Sequence, residues 1–331
     1  MDISRGYVWQ LCSVILLYVL AFSGATFVMS VLTCVFIYEY FAHPVFIFAI
    51  YSAWLLWDWK TPSEGGRSPR FCFLRHSSLF DFIRGYYPIS LVKTSELQHD
   101  RNYIFVYFPH GMIAEAAIVA LGSNAAGMSR LFLGINTRIA VHSLIFMAPV
   151  FREIALAAGF ISVARVSCRY ALSNGNPGQS VVICVGGSTE VLYTASNTDY
   201  HLVLADRKGF CQLALQSGAS LVPVFGFGQN NLFHQPKNML PPKGVSCVYK
   251  WIALIKKYST LAFWDRQTMG IIPRRIPINV VVGKAIHVSR NSSPTTEDID
   301  SLHSQFVAKL LDLYKSNRDL YGDSKHEIVI A

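Results

Sequence analysis

Between Gly6 and Tyr38 the chain carries no formally charged side chain, and from there to Trp57 only Glu39 interrupts. No other feature restricts the fold so strongly, because an apolar run of that length has to be removed from water. About 20 consecutive apolar residues are enough to cross a bilayer. The run therefore predicts a membrane-embedded helical hairpin over residues 1–60, with spans near residues 11–31 and 41–59 and a turn at "EYFAHP". The second span is short and bounded by aromatic side chains, so two full crossings and a re-entrant hairpin both stay open. A secretory leader fits poorly, because the run is far longer than an h-region and lacks a small-residue cleavage site. Arg5 before the hairpin and Lys60, Arg67, Arg70 and Arg75 after it predict that both ends face the cytosol.

Charge is divided unevenly. Residues 1–59 carry Arg5 against Asp2, Glu39 and Asp58, a net of −2, which leaves +11 on the rest of a chain whose total is +9. Such a surface suits anionic headgroups or a phosphate-rich soluble substrate. No nucleic-acid-binding motif accompanies it, so nucleic acid is not an expected partner. The seven cysteines are scattered without a CxxC pair, which argues for reduced, buried thiols rather than a disulfide framework. His142, His201, His234 and His287 lack metal-ligand spacing, and no metal site is expected.

After the polar connector "KTPSEGGRSPR", apolar runs alternate with helical patterns. "YIFVYF" (103–108), "FISVARV", "SVVICVGG", "SLVPVFGFG" and "PINVVVGKAIHV" read as strands. "FREIALAAG" reads as a helix end, and 206–217 as a helix with Gly218 as C-cap. Strands without alternation, separated by helices, predict an α/β domain over residues 61–331, its mixed or mostly parallel sheet covered on both faces. The segment 249–272 mixes lysines with tryptophans and leucines, a pattern open between a membrane-surface helix and a core-facing one.

In such sheets function collects beyond the carboxyl ends of strands, and three ends carry candidate chemistry. In "PHG", Pro109 fixes the chain, His110 is presented and Gly111 permits a close backbone approach. A neutral imidazole can accept a proton from an alcohol, and Glu115, five residues on, is a carboxylate that could turn back toward it. In "VGGSTE", Gly186 and Gly187 allow backbone N–H groups to converge on an anion, and Glu190 supplies a second carboxylate. The stretch is not a GxSxG elbow, because Glu190 stands where the last glycine would be. That disfavours a covalent route through Ser188 or Cys184. Arg207 and Lys208 precede the predicted helix and, with Arg152, are candidate phosphate ligands. No Walker A or GxGxxG fingerprint is present.

Together "YYPISLVKT", "YFPHG", "PVFREIALAAG", "GGSTE", "DRKGFCQLALQSGASLVPVFGFGQNNLF" and "GIIPRRIPINVVVGKAIHV" resemble the diacylglycerol acyltransferase 2 family over nearly the whole chain. The resemblance implies a glycerolipid-acyltransferase-like fold and transfer of a fatty acyl group from acyl-CoA, a substrate rather than a resident cofactor, to the hydroxyl of a neutral lipid. Diacylglycerol is the expected acceptor, with monoacylglycerol or a long-chain alcohol as alternatives. A lipid-binding membrane scaffold without activity is the alternative of another class. The resemblance implies His110 as the catalytic residue and an endoplasmic-reticulum or lipid-droplet membrane location, and it leaves homo-oligomers open. Two positions depart from the family pattern: Phe108 replaces the first histidine of HPHG, and Gln229 replaces the glutamate of FGE. Glu115 is an acid the family usually lacks at this position.

Overall fold

The structure, a computed structural model, describes residues 3–21, 23–40, 44–173, 176–194, 198–233 and 272–331. The apolar run forms three helices, α1 (Ile3–Ala21), α2 (Ser23–Tyr40) and α3 (Pro44–Asp58). Helix α4 (Ser78–Tyr86) and strand β1 (Ile89–Lys93) lead to β2 (Tyr103–Phe108), α5 (Glu115–Gly122), α6 (Met128–Leu131) and β3 (Asn136–Val141). Next come α7 (Phe151–Ala157), β4 (Phe160–Ser162), α8 (Arg165–Leu172), β5 (Gln179–Cys184), α9 (Gly187–Tyr193) and β6 (Tyr200–Leu202). Helix α10 (Gly209–Ser217) and strand β7 (Ser220–Phe227) precede β8 (Ile278–Val282), α11 (Thr296–Asn317) and β9 (Ile328–Ile330).

Seven strands form a mixed sheet in the order β1-β8-β7-β2-β5-β3-β4. β7, β2, β5, β3 and β4 are mutually parallel, whereas β8 pairs antiparallel with β7 and carries β1 in its own direction. β2 is completely buried, and its period of two divides it between the faces. Tyr103, Phe105 and Tyr107 join the core built with α1, α4 and α5. Ile104, Val106 and Phe108 join the core built with α8, α10 and α11. Burial of each such side chain contributes about 1.5–3 kcal/mol, so this strand is fixed in register before any polar group is considered. A parallel pair, β6 and β9, lies outside the main sheet.

The membrane-embedded hairpin is not what forms. Among the described residues no helix is long and apolar enough to cross a membrane. Helix α3, with 15 residues, would reach only about 22 Å against a hydrocarbon layer of about 30 Å. Helix α1 instead packs on α4, with Val14 and Tyr18 buried in the core of one sheet face. The endoplasmic-reticulum or lipid-droplet membrane location that the resemblance implied is corrected on the same finding, since no described helix can span a bilayer. The apolar pattern was real, but a helix that packs on protein and a helix that spans lipid share it. Apart from Ile272, the predicted amphipathic segment 249–272 lies outside the described residues.

Candidate active site

The order of the sheet brings the three predicted strand ends together. β2 lies between β5 and β7, and all three run parallel, so "PHG", "GGSTE" and "FGQ" emerge side by side at one edge. Beyond β2, Pro109 stops the ladder by lacking an N–H, and the chain enters a tight loop. Gly111 and Ala114 both have positive φ, 58° and 54°, and the Ala114 N–H donates to the His110 carbonyl at 2.9 Å before α5 begins.

His110 is only partly buried, in a loop whose neighbours are mostly enclosed. Its ring Nδ1 lies 3.4 Å from the Gly111 carbonyl. A carbonyl can only accept, so this contact favours the tautomer with the proton on Nδ1 and the lone pair on Nε2. Desolvation lowers the imidazole pKa, with the Gly111 contact opposing. The ring is therefore neutral at pH 7 and able to accept a proton.

Neither predicted carboxylate touches that ring. Glu190 is 1% exposed, and its Oε1 accepts the backbone N–H of His110 at 2.6 Å while Oε2 accepts that of Val203 at 3.1 Å. It thus ties the β2 loop to the segment after β6. Burial pushes its pKa up to about 8. Gly186 is what lets the carboxyl fold back, since its φ is 95° and a Cβ there would stand 2.2 Å from Glu190 Oε2. Gly187, at φ 57°, has nothing within 4 Å of a Cβ position. Glu115, the second predicted partner, is wholly buried at the start of α5. Its carboxyl accepts the Tyr18 hydroxyl and the Gln229 amide, the latter at 2.8 Å.

The basic candidates separate. Arg207 is exposed just before α10, and Lys208 is paired with Asp300 at 2.7 Å. Arg152 is 1% exposed and sits in a different cluster: it pairs with Asp58 at 2.7 Å and with Glu153 at 2.6 Å, and Arg67 bridges the same two acids. It clamps the end of α3 to α7. Burial, with Glu190 next in effect, pushes the Cys184 thiol up to about 12, which leaves it protonated and non-nucleophilic. Phe108 is fully buried and packs against Phe306 with ring centroids 6.5 Å apart. Sequence reasoning missed Tyr18, Tyr107 and Val203. The one signal for Tyr18 was its place four residues after Val14 on a single helix face.

The chain can now be set beside known proteins. The family model described as Diacylglycerol acyltransferase matches residues 37–331. Human 2-acylglycerol O-acyltransferase 3 is 35% identical over 310 residues, covering 88% of this chain and 89% of the relative. Diacylglycerol O-acyltransferase 2 of Xenopus tropicalis is 36% identical over 309 residues, covering 90% and 83%. The 2-acylglycerol O-acyltransferase 1 of Bos taurus is 34% identical over 308 residues, covering 91% and 89%. With matches of this extent, the chain belongs to the diacylglycerol acyltransferase family and is a glycerolipid O-acyltransferase.

Proposed function

We propose that the protein transfers a fatty acyl group from acyl-CoA to the free hydroxyl of diacylglycerol, with His110 as general base. The observation that carries this is the His110 loop itself: its backbone is tied to Glu190 at 2.6 Å, and its ring is neutral, with no hydrogen-bond partner for Nε2 among the described residues. The acceptor hydroxyl lies against Nε2, which takes its proton as the oxygen attacks the thioester carbonyl. The new C–O bond forms, and the carbonyl oxygen becomes an oxyanion facing the backbone N–H groups of Gly111 and Gly187. When the C–S bond breaks, the imidazolium returns its proton to the CoA thiolate. Direct transfer needs no acyl-enzyme, in keeping with a Cys184 thiol held protonated.

Arg207 is the exposed cation nearest in sequence to Val203, which holds Glu190, and is assigned to the CoA phosphates. Lys208 contributes less because Asp300 already holds it. The acceptor rests on family membership, and the relatives named for monoacylglycerol and diacylglycerol chemistry stand at almost equal identity. One assay tests both points: purified protein, one radiolabelled acyl-CoA, and diacylglycerol, monoacylglycerol and a long-chain alcohol in parallel. Diacylglycerol should give the highest kcat/KM, and His110→Ala should cost roughly 10²- to 10⁴-fold. Near-wild-type transfer by folded His110→Ala would remove the base from the mechanism.

A further inference from the structure

Glu115 is the acid that the chemistry above leaves unused, and it is more tightly surrounded than Glu190. Two donors meet on its carboxyl: the Tyr18 hydroxyl on Oε1 and the Gln229 amide on Oε2. Burial raises its pKa, and the Tyr18 and Gln229 hydrogen bonds oppose that rise.

One partner of this carboxylate reaches the His110 loop directly. Gln229 is 2% exposed, accepts the Tyr107 hydroxyl at 3.0 Å, and lies directly under Gly111, where a Cβ would stand 2.7 Å from its Nε2. From the other end, Glu115 opens α5 directly after Ala114, which stands in its left-handed conformation. A non-glycine residue is held there at a cost of about 1–2 kcal/mol, so the loop needs outside restraint to keep its shape. Tyr18 supplies the remaining contact from α1, and its ring meets Phe233 edge-on at 5.4 Å.

We propose that Tyr18, Glu115 and Gln229 form a positioning hub for His110: the carboxylate fixes the 110–114 loop, and helix α1 is a working part of the active site. The proposal rests on His110 being the general base. The hub requires one carboxylate and one amide in contact, and their order is interchangeable. Exchanging them keeps the bond between positions 115 and 229, keeps one negative charge, and leaves acceptors for the Tyr18 and Tyr107 hydroxyls.

The experiment uses the full chain with acyl-CoA and diacylglycerol. Glu115→Gln and Gln229→Glu, each alone, should lower kcat by about tenfold or more with little change in KM for acyl-CoA. The double variant Glu115→Gln/Gln229→Glu should return to within about threefold of the starting protein. Tyr18→Phe removes only a hydroxyl and should lower kcat by about three- to tenfold. NMR titration of ¹³C-labelled histidine should show the His110 pKa moved in the single variants and restored in the double. Wild-type kcat in a folded single variant, or a double variant no better than the worse single, would overturn the hub. If the charge variants do not fold, Tyr18→Phe decides: unchanged kcat and an unchanged His110 titration overturn it. Activity retained by His110→Ala strikes the general-base reading instead, whereas the titration reports the hub's hold on the ring without any turnover.

Discussion

Replacing Gly186 by alanine breaks the join between the two strand ends, and its cost follows from the geometry. The backbone lies at φ 95°, and the new Cβ would fall 2.2 Å from Glu190 Oε2 and 2.7 Å from its Cδ. Glu190 must therefore move and release the N–H groups of His110 and Val203. Backbone strain of about 1–3 kcal/mol and two lost hydrogen bonds at about 1 kcal/mol each give a destabilisation of about 4 kcal/mol. A domain is held folded by only about 5–15 kcal/mol. Gly187→Ala is the internal control: it shares the positive φ but has open space for its Cβ, so about 1–2 kcal/mol of strain is all it should show. Urea unfolding and initial rates of acyl transfer, measured on both variants, read the difference. Gly186→Ala should unfold at clearly lower urea and lose about 10²-fold in rate through the displaced loop. Gly187→Ala should stay close to the unaltered protein. Equal midpoints and equal rates for the two variants would refute the assignment of Gly186 as the space for Glu190.

The raised pKa of Glu190 makes stability depend on pH. Between the ordinary 4.5 and about 8 the folded chain keeps a proton that the unfolded chain has lost, so stability falls as pH rises through that window and levels off above it. Glu190→Gln should flatten this slope in urea melts at pH 5, 6.5 and 8.5. His110 acts in the opposite sense: its lowered pKa costs stability as pH drops below about 6.5, and His110→Ala should remove that acid-side loss in the same melts. Arg152→Ala should lower stability by about 2–3 kcal/mol, with Arg67 still holding Asp58, and leave KM for acyl-CoA unchanged. A KM rise without loss of stability would return Arg152 to the donor site. Arg207→Ala should raise KM for acyl-CoA by about tenfold at low ionic strength, with a smaller effect in high salt. Lys208→Ala, in the same steady-state assay, should raise it less.

The elements fixed by local pattern were legible in the sequence. "YIFVYF" is β2 to the residue, "SVVICVGG" and "SLVPVFGFG" hold nearly all of β5 and all of β7, which stop at Cys184 and Phe227, short of the final glycines, and Gly218 caps α10 at φ 74°. Their parallel order, once formed, gathers His110, Glu190 and Gln229 at one edge. The partners of the two carboxylates were not legible, because each depends on segments far apart in the chain. Glu190 meets a backbone N–H 13 residues away and Glu115 a hydroxyl 97 residues away, and no periodicity encodes either. Reading α1 as lipid-embedded also removed Tyr18 from consideration. Glu115 and Gln229 each depart from the family pattern that the sequence resembles, one by adding an acid and the other by losing one. In the structure they are the two ends of one 2.8 Å hydrogen bond.

The position of β2 in the sheet also governs how the protein must be made. Both neighbours of β2, the strands β5 and β7, lie later in the chain, as do Val203 and Gln229. A ribosome therefore delivers "YIFVYFPHG" with no strand to pair with, and six side chains destined for complete burial wait in solvent or on a chaperone for the rest of the sheet. His110 is synthesised early and secured late. Shortage of chaperones during expression should accordingly yield chains that are full length, aggregated through this strand, and inactive.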